Sequence, residues 1–169
     1  MTLVVGGAGS GKSAYAESLA LSRPGKHCYI ATMEPFGAEA EEKIRCHHAL
    51  RRGKGFETVE CYVNLDEALV PPDRVVLLED LPNLAANERF GPHGGSIERV
   101  FPSLIRLSAR CRDLVIVTGE LLTGGRDYAG DTLSYLEDLG TLHRQIASMA
   151  DVAVEVVCGL PNILKGEVP

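Results

Sequence analysis

Eight residues near the start of the chain, Gly6, Gly7, Ala8, Gly9, Ser10, Gly11, Lys12 and Ser13, constrain its fold more tightly than any other stretch. They satisfy G-x-x-x-x-G-K-[ST] and stand between an apolar run, Thr2-Leu-Val-Val5, and a segment of good helix formers, Ala14-Tyr-Ala-Glu-Ser-Leu-Ala20. Glycine is needed because backbone N–H groups turn inward around phosphate oxygens only at dihedrals and distances that a Cβ obstructs. Lys12 then brings charge to the β- and γ-phosphates, Ser13 brings an oxygen to Mg2+, and the following helix adds its positive end. Strand, phosphate loop and helix in that order predict a nucleotide site of the P-loop NTPase kind.

The rest of the chain repeats the alternation. Strands are predicted near 2–6, 27–31, 57–61, 74–79, 113–118 and 152–158, and helices near 12–22, 38–52, 64–69, 97–111 and 131–149. The stretch 81–95 is read as broken by Pro82 and by Gly91-Pro-His-Gly-Gly95. Val75-Val-Leu-Leu78 and Leu114-Val-Ile-Val117 are continuously apolar, as strands covered on both faces require. The fold class is therefore α/β, a mostly parallel sheet with helices on both faces. With 169 residues, 45% of them hydrophobic, and no repeat or linker, the whole chain 1–169 is expected to form one domain.

Charge narrows the partners. Seventeen Lys and Arg against 23 Asp and Glu give a net charge of −6, so the basic excess that nonspecific nucleic-acid binding requires is missing. Any phosphate site must be local. The five cysteines are odd in number and contain no CxxC pair, which argues against a zinc knuckle or a disulfide framework and for thiols in a reducing compartment. Met1 leads into Thr2 without a basic region and apolar stretch of signal-peptide length, and no run approaches a membrane span. The expectation is a cytoplasmic protein.

A phosphate loop is usually paired with an acid at the end of another buried strand, which serves Mg2+ directly or through water. Glu79 fits best and Asp80 second. Glu120, beyond the strand 113–118, lies where α/β proteins bind ligands, although a polar loop residue needs no such role. The segment 39–54 has acids first (Glu39, Glu41, Glu42) and bases later (Lys43, Arg45, Arg51, Arg52, Lys54), a polarity that suits a helix macrodipole. It also carries His47 and His48. Adjacent residues on a helix point about 100° apart, so the two cannot chelate one metal together. Lys43, His47 and Arg51 share one face, and Ile44, His48 and Arg52 share the next. Geometry does not choose between the histidines.

In order along the chain, these pieces resemble the family of bifunctional adenosylcobinamide kinases and adenosylcobinamide-phosphate guanylyltransferases. The run from Leu3 to Ser13, with Ala16-Glu17 and Leu19-Ala20, looks like the family's opening LVxGGxxSGKSxxAExLA. Tyr29-Ile-Ala-Thr32 is similar to its second-strand motif, and Lys43-Ile44-Arg-Cys-His47 to its RIxxH, with Lys in place of Arg. Leu77-Leu-Glu79 with Asn87, Val117-Thr118 with Glu120, and Gly159-Leu-Pro161-Asn-Ile-Leu164-Lys165 match parts of its later elements. The chain departs from the pattern at Gly9, Asp80, Pro82, Leu84, Gly119, the stretch 123–127 and the stretch from Tyr135 to Arg144, regions expected to touch the acceptor or guanine.

The resemblance implies two reactions. The first is phosphorylation of a corrinoid hydroxyl by ATP or GTP; the second is transfer of GMP from GTP through a guanylylated histidine, which falls on His47. Imidazole suits that role because its ordinary pKa, about 6.5, leaves mostly the neutral nucleophile at neutral pH. Lys12 and Glu79 complete the catalytic set, Lys43 is a candidate for phosphate charge, and the resemblance also implies a homo-oligomer. Two other readings fit the loop: a small-molecule kinase without guanylyl transfer, and a nucleotide-binding regulatory module.

Overall fold

The computed structural model describes residues 1–35, 45, 53–120 and 128–168. Seven strands form one sheet: β1 (Thr2–Gly6), β2 (Lys26–Ala31), β3 (Phe56–Glu60), β4 (Arg74–Glu79), β5 (Asp113–Gly119), β6 (Val152–Val157) and β7 (Leu160–Lys165), in the order β3-β2-β4-β5-β1-β6-β7. All neighbouring pairs are parallel except β6 with β7. From β1 the chain passes through helix α1 (Lys12–Ser22) to β2, beyond β5 and β4, whereas β6 lies on the other side of β1. The crevice at a strand end where connections diverge in this way is where open α/β sheets bind ligands.

The continuous apolar runs explain the middle of the sheet. Val75, Val76, Leu77, Leu78, Leu114, Val115, Ile116 and Val117 are all completely buried, because alternate residues enter cores on opposite faces. On one face Val4, Val75, Leu77, Val115, Val117 and Val154 pack with Ala16, Leu19 and Ala20 of α1. On the other, Leu3, Ile30, Val76, Leu78, Leu114 and Ile116 meet α2 (Leu81–Phe90), α3 (Val100–Arg110) and α4 (Asp131–Met149). Truncating one such leucine to alanine costs about 2–5 kcal/mol. Burial pushes the thiols of Cys28 and Cys61 up to about 11, so both act as small apolar core groups.

Four elements depart from the sequence expectation. The stretch read as broken contains α2, because Pro82 lies in its first turn, where no intrahelical N–H is lost. Asp80 caps this helix, accepting from the Asn83 N–H at 2.9 Å. The helix expected over 64–69 is a single 3-10 turn, Leu65–Glu67, entered through a left-handed Asn64. The helix expected over 97–111 divides into a 3-10 turn, Ile97–Arg99, and α3. β7 was not expected as a strand; it is an edge strand, where Pro161 is tolerated. The helix expected over 38–52 lies outside the described residues except at Arg45, which is helical.

Candidate active site

The loop after β1 has the conformation its composition foreshadows. Gly9 and Gly11 have φ of +69° and +89°, left-handed values that side chains resist. Ser10 N–H donates to the Gly7 carbonyl at 3.2 Å, and the Tyr15 N–H to the Gly11 carbonyl at 3.0 Å, which starts α1. The Lys12 ammonium folds back onto the Gly7 carbonyl at 3.2 Å.

Neighbouring strands hold this loop from both sides. The Glu120 N–H, just past β5, donates to the Gly6 carbonyl at 3.2 Å. The Gly159 N–H, in the β6–β7 turn, donates to the Ser10 carbonyl at 2.8 Å. A Cβ on Gly6 would lie 2.7 Å from the Val156 carbonyl oxygen, and one on Gly11 would lie 3.2 Å from Gly159 Cα. The sequence marked Gly159 only through the terminal motif; its contact with the loop is tertiary.

Beneath the loop lies Glu79, the last residue of β4. It follows Val75 and Leu77 at two-residue spacing and so faces α1. The Ser13 hydroxyl donates to its Oε1, and the Tyr29 hydroxyl donates to its Oε2 at 3.1 Å. Asp80 points the other way, to cap α2. Of the two acids, therefore, Glu79 is the one that meets the phosphate-loop serine. The Ser13 oxygen keeps lone pairs while its proton goes to Glu79, and a hydroxyl with a carboxylate forms a hard-oxygen set of the kind Mg2+ takes together with phosphates and water. The donor set fits that ion. Among the described residues no three His, Cys, Asp or Glu side chains cluster to hold a metal without a nucleotide.

The chain leaves β2 beside this acid. Thr32 N–H donates to the Glu79 carbonyl at 3.2 Å. The Thr32 hydroxyl accepts from Asp80 N–H at 2.7 Å and lies 2.8 Å from the Asp80 carbonyl. The Asn87 amide bridges the carbonyls of Thr32 and Tyr62, at 2.9 and 3.0 Å. On the far side of the segment 36–52, the Lys54 ammonium pairs with Glu17 of α1 at 2.5 Å. Lys43, His47 and His48 fall between Thr32 and Lys54 in the sequence and, like 123–127, are outside the described residues.

One pairing at this end was not foreseen in the sequence, where Thr118 entered only as part of a motif. Thr118, buried at the end of β5 on the face opposite α1, shares a 2.7 Å hydrogen bond with Nε2 of His143 in α4. Burial holds the imidazole below its usual pKa. A polar residue ending an otherwise apolar buried strand was the available signal. Glu120 itself is exposed. Two departures from the motif pattern prove to be packing positions: Leu84 is completely buried, and the Tyr135 hydroxyl donates to the Pro82 carbonyl at 2.9 Å.

A mostly parallel sheet whose first strand ends in a glycine loop, with a buried acid hydrogen bonded to the loop's serine, defines a P-loop nucleotide-binding protein of the α/β class. The sequence matches the profile described as cobinamide kinase / cobinamide phosphate guanyltransferase over residues 2–164. The chain belongs to this family. It is 32% identical over 178 residues to the bifunctional adenosylcobalamin biosynthesis protein CobU of Escherichia coli, an alignment covering 95% of this chain and 97% of that protein. Identity to the protein of the same name from Salmonella typhimurium is 30%, with the same coverages. Identity to the bifunctional adenosylcobalamin biosynthesis protein CobP of Pseudomonas aeruginosa is 31%, covering 98% of this chain and 97% of that one.

Proposed function

We propose that this chain, working as one domain, phosphorylates adenosylcobinamide with ATP or GTP and then transfers GMP from GTP to the product, giving adenosylcobinamide-GDP. The observation that carries the reading is the Ser13–Glu79 hydrogen bond beneath the phosphate loop, at the sheet end where the segment bearing His47 departs from β2. Family membership supplies the acceptor.

In the first reaction the loop N–H groups and Lys12, released from the Gly7 carbonyl, hold the β- and γ-phosphates. Glu79 fixes Ser13, whose oxygen and the phosphates would hold Mg2+; that ion supplies charge neutralisation as the leaving oxygen develops. The corrinoid hydroxyl oxygen attacks the γ-phosphorus, the bond to the β-bridging oxygen breaks, and the hydroxyl proton leaves to solvent or base. In the second, the neutral imidazole of His47 attacks the α-phosphorus of GTP and pyrophosphate departs. An oxygen of the corrinoid phosphate then displaces the imidazole from phosphorus. Lys43, Arg45 and Arg51, close to His47 in sequence, are the candidate cations for the developing phosphate charge. The contacts of Thr32 with Glu79 and of Lys54 with Glu17 support this reading, since they fix residues before and after the histidine segment to β4, which carries Glu79, and to α1, which follows the phosphate loop.

Family resemblance also supports a homo-oligomer and a cytoplasmic location, where both triphosphates are available. None of the described helices is long and apolar enough to cross a membrane. Incubating the protein with adenosylcobinamide and each triphosphate tests the reading: ATP or GTP is expected to yield the phosphate, and GTP alone the GDP derivative. Phosphorylation that survives His47→Ala, with no GDP derivative formed by the wild type, would reduce the protein to a plain kinase. Nucleotide binding without turnover would leave a regulatory module.

A further inference from the structure

We infer that Tyr29 is a positioning residue for the cation carried by the nucleotide, an inference that rests on the placement of Mg2+ at Ser13 and Glu79 proposed above. Glu79 has two carboxylate oxygens, and each receives one hydroxyl: Oε1 from Ser13 of α1, Oε2 from Tyr29 of β2 at 3.1 Å. The two donors come from different elements and approach from different directions, so together they leave the carboxylate one orientation.

The sheet register makes the contact possible. Tyr29 pairs with Leu77 and Ala31 with Glu79, so tyrosine and glutamate are diagonal neighbours on one face, a separation that an aromatic side chain spans. Tyr29 is buried in the apolar core on the α1 face, beside its register partner Leu77, and Phe56 of β3 meets its ring edge to face, with centroids 6.2 Å apart and planes at 78°. That apolar setting fixes the ring and directs its one polar atom at Glu79. Without the hydroxyl, Oε2 loses its partner in a buried site and the carboxylate can swing away from Ser13. The Ser13 hydroxyl, freed of its acceptor, would then no longer present its lone pairs in one direction. Partners of this kind, one step removed from the ion, typically change metal affinity by about 10–100-fold when removed.

Mn2+, visible by electron paramagnetic resonance, can be titrated into the full-length protein bearing a non-hydrolysable GTP analogue. For Tyr29→Phe the Mn2+ dissociation constant is expected to rise about tenfold, with nucleotide affinity in EDTA unchanged. The Mg2+ concentration for half-maximal turnover should rise in step, while kcat at saturating Mg2+ stays within about twofold of wild type. 4-Aminophenylalanine at position 29 retains a donor on the same ring and should restore wild-type affinity even if the phenylalanine variant is less stable. Wild-type Mn2+ affinity in Tyr29→Phe, alongside weakened affinity in Glu79→Gln, would overturn the role of Tyr29 alone. Unchanged affinity in Glu79→Gln would overturn the cation placement and this inference with it.

Discussion

Glu79 and Asp80 are neighbours with opposite assignments, because Glu79 is the last residue of β4 and Asp80 is the cap of the helix that follows. The sequence offers both acids; only the side each one faces separates them. Glu79 follows Leu77 onto the α1 face and meets Ser13, while Asp80 turns to the helix that follows. Asp80→Ala is therefore expected to cost about 1 kcal/mol, as lost caps do, with Asp80→Asn near wild type and the Mg2+ requirement unchanged in both; chemical denaturation and a Mg2+ titration of turnover check this. Lys12, whose described side-chain contact is one carbonyl, carries little of the fold. Lys12→Ala should lower phosphoryl transfer by about 10²–10³-fold with a melting temperature close to wild type. Tyr29 and Thr32 were visible only as parts of a motif, because their partners lie about fifty residues away. The pairing of His143 with Thr118 was not legible either, since the two residues lie on different elements.

At the level of elements, the central strands were legible because they are apolar without interruption, which only a strand covered on both faces tolerates for so short a run. α2 was obscured by Pro82, and β7 contains Pro161; the meaning of a proline depends on position, harmless in the first turn of a helix or on a sheet edge, disruptive elsewhere. Those positions exist only once the fold does. The β6–β7 turn has a further consequence, since Gly159 (φ +78°) donates to the Ser10 carbonyl and so braces the phosphate loop. Gly159→Ala should destabilise the protein by about 1–2 kcal/mol through left-handed strain and weaken GTP binding as the brace shifts. A variant that loses stability while binding GTP as tightly as wild type would show that the turn does not support the loop.

Across the whole molecule, three of the described groups set the direction of the pH dependence on the acid side. Burial lowers the His143 pKa; the hydrogen bond from Arg106 lowers that of Asp66, and the hydrogen bond from the amino terminus lowers that of Asp151. In each case the unfolded chain binds protons that the folded one excludes, so the stability contribution is complete above the unfolded pKa and is lost as pH falls through the folded value. The melting temperature should accordingly begin to fall below about pH 6.5, from His143, and again below about pH 4, from the two carboxylates. His143→Gln should remove the upper step, and its persistence would contradict the assignment. The strand order, and the meeting of phosphate loop and buried acid at one sheet end, could not be read from spacing. The central claim is that His47 becomes covalently guanylylated, and the direct test is the intact mass after incubation with Mg2+ and GTP for wild type, His47→Ala and His48→Ala. The account predicts a gain of one acid-labile GMP in wild type and His48→Ala and none in His47→Ala. No gain in wild-type protein that binds GTP, or a gain that survives His47→Ala, would contradict it.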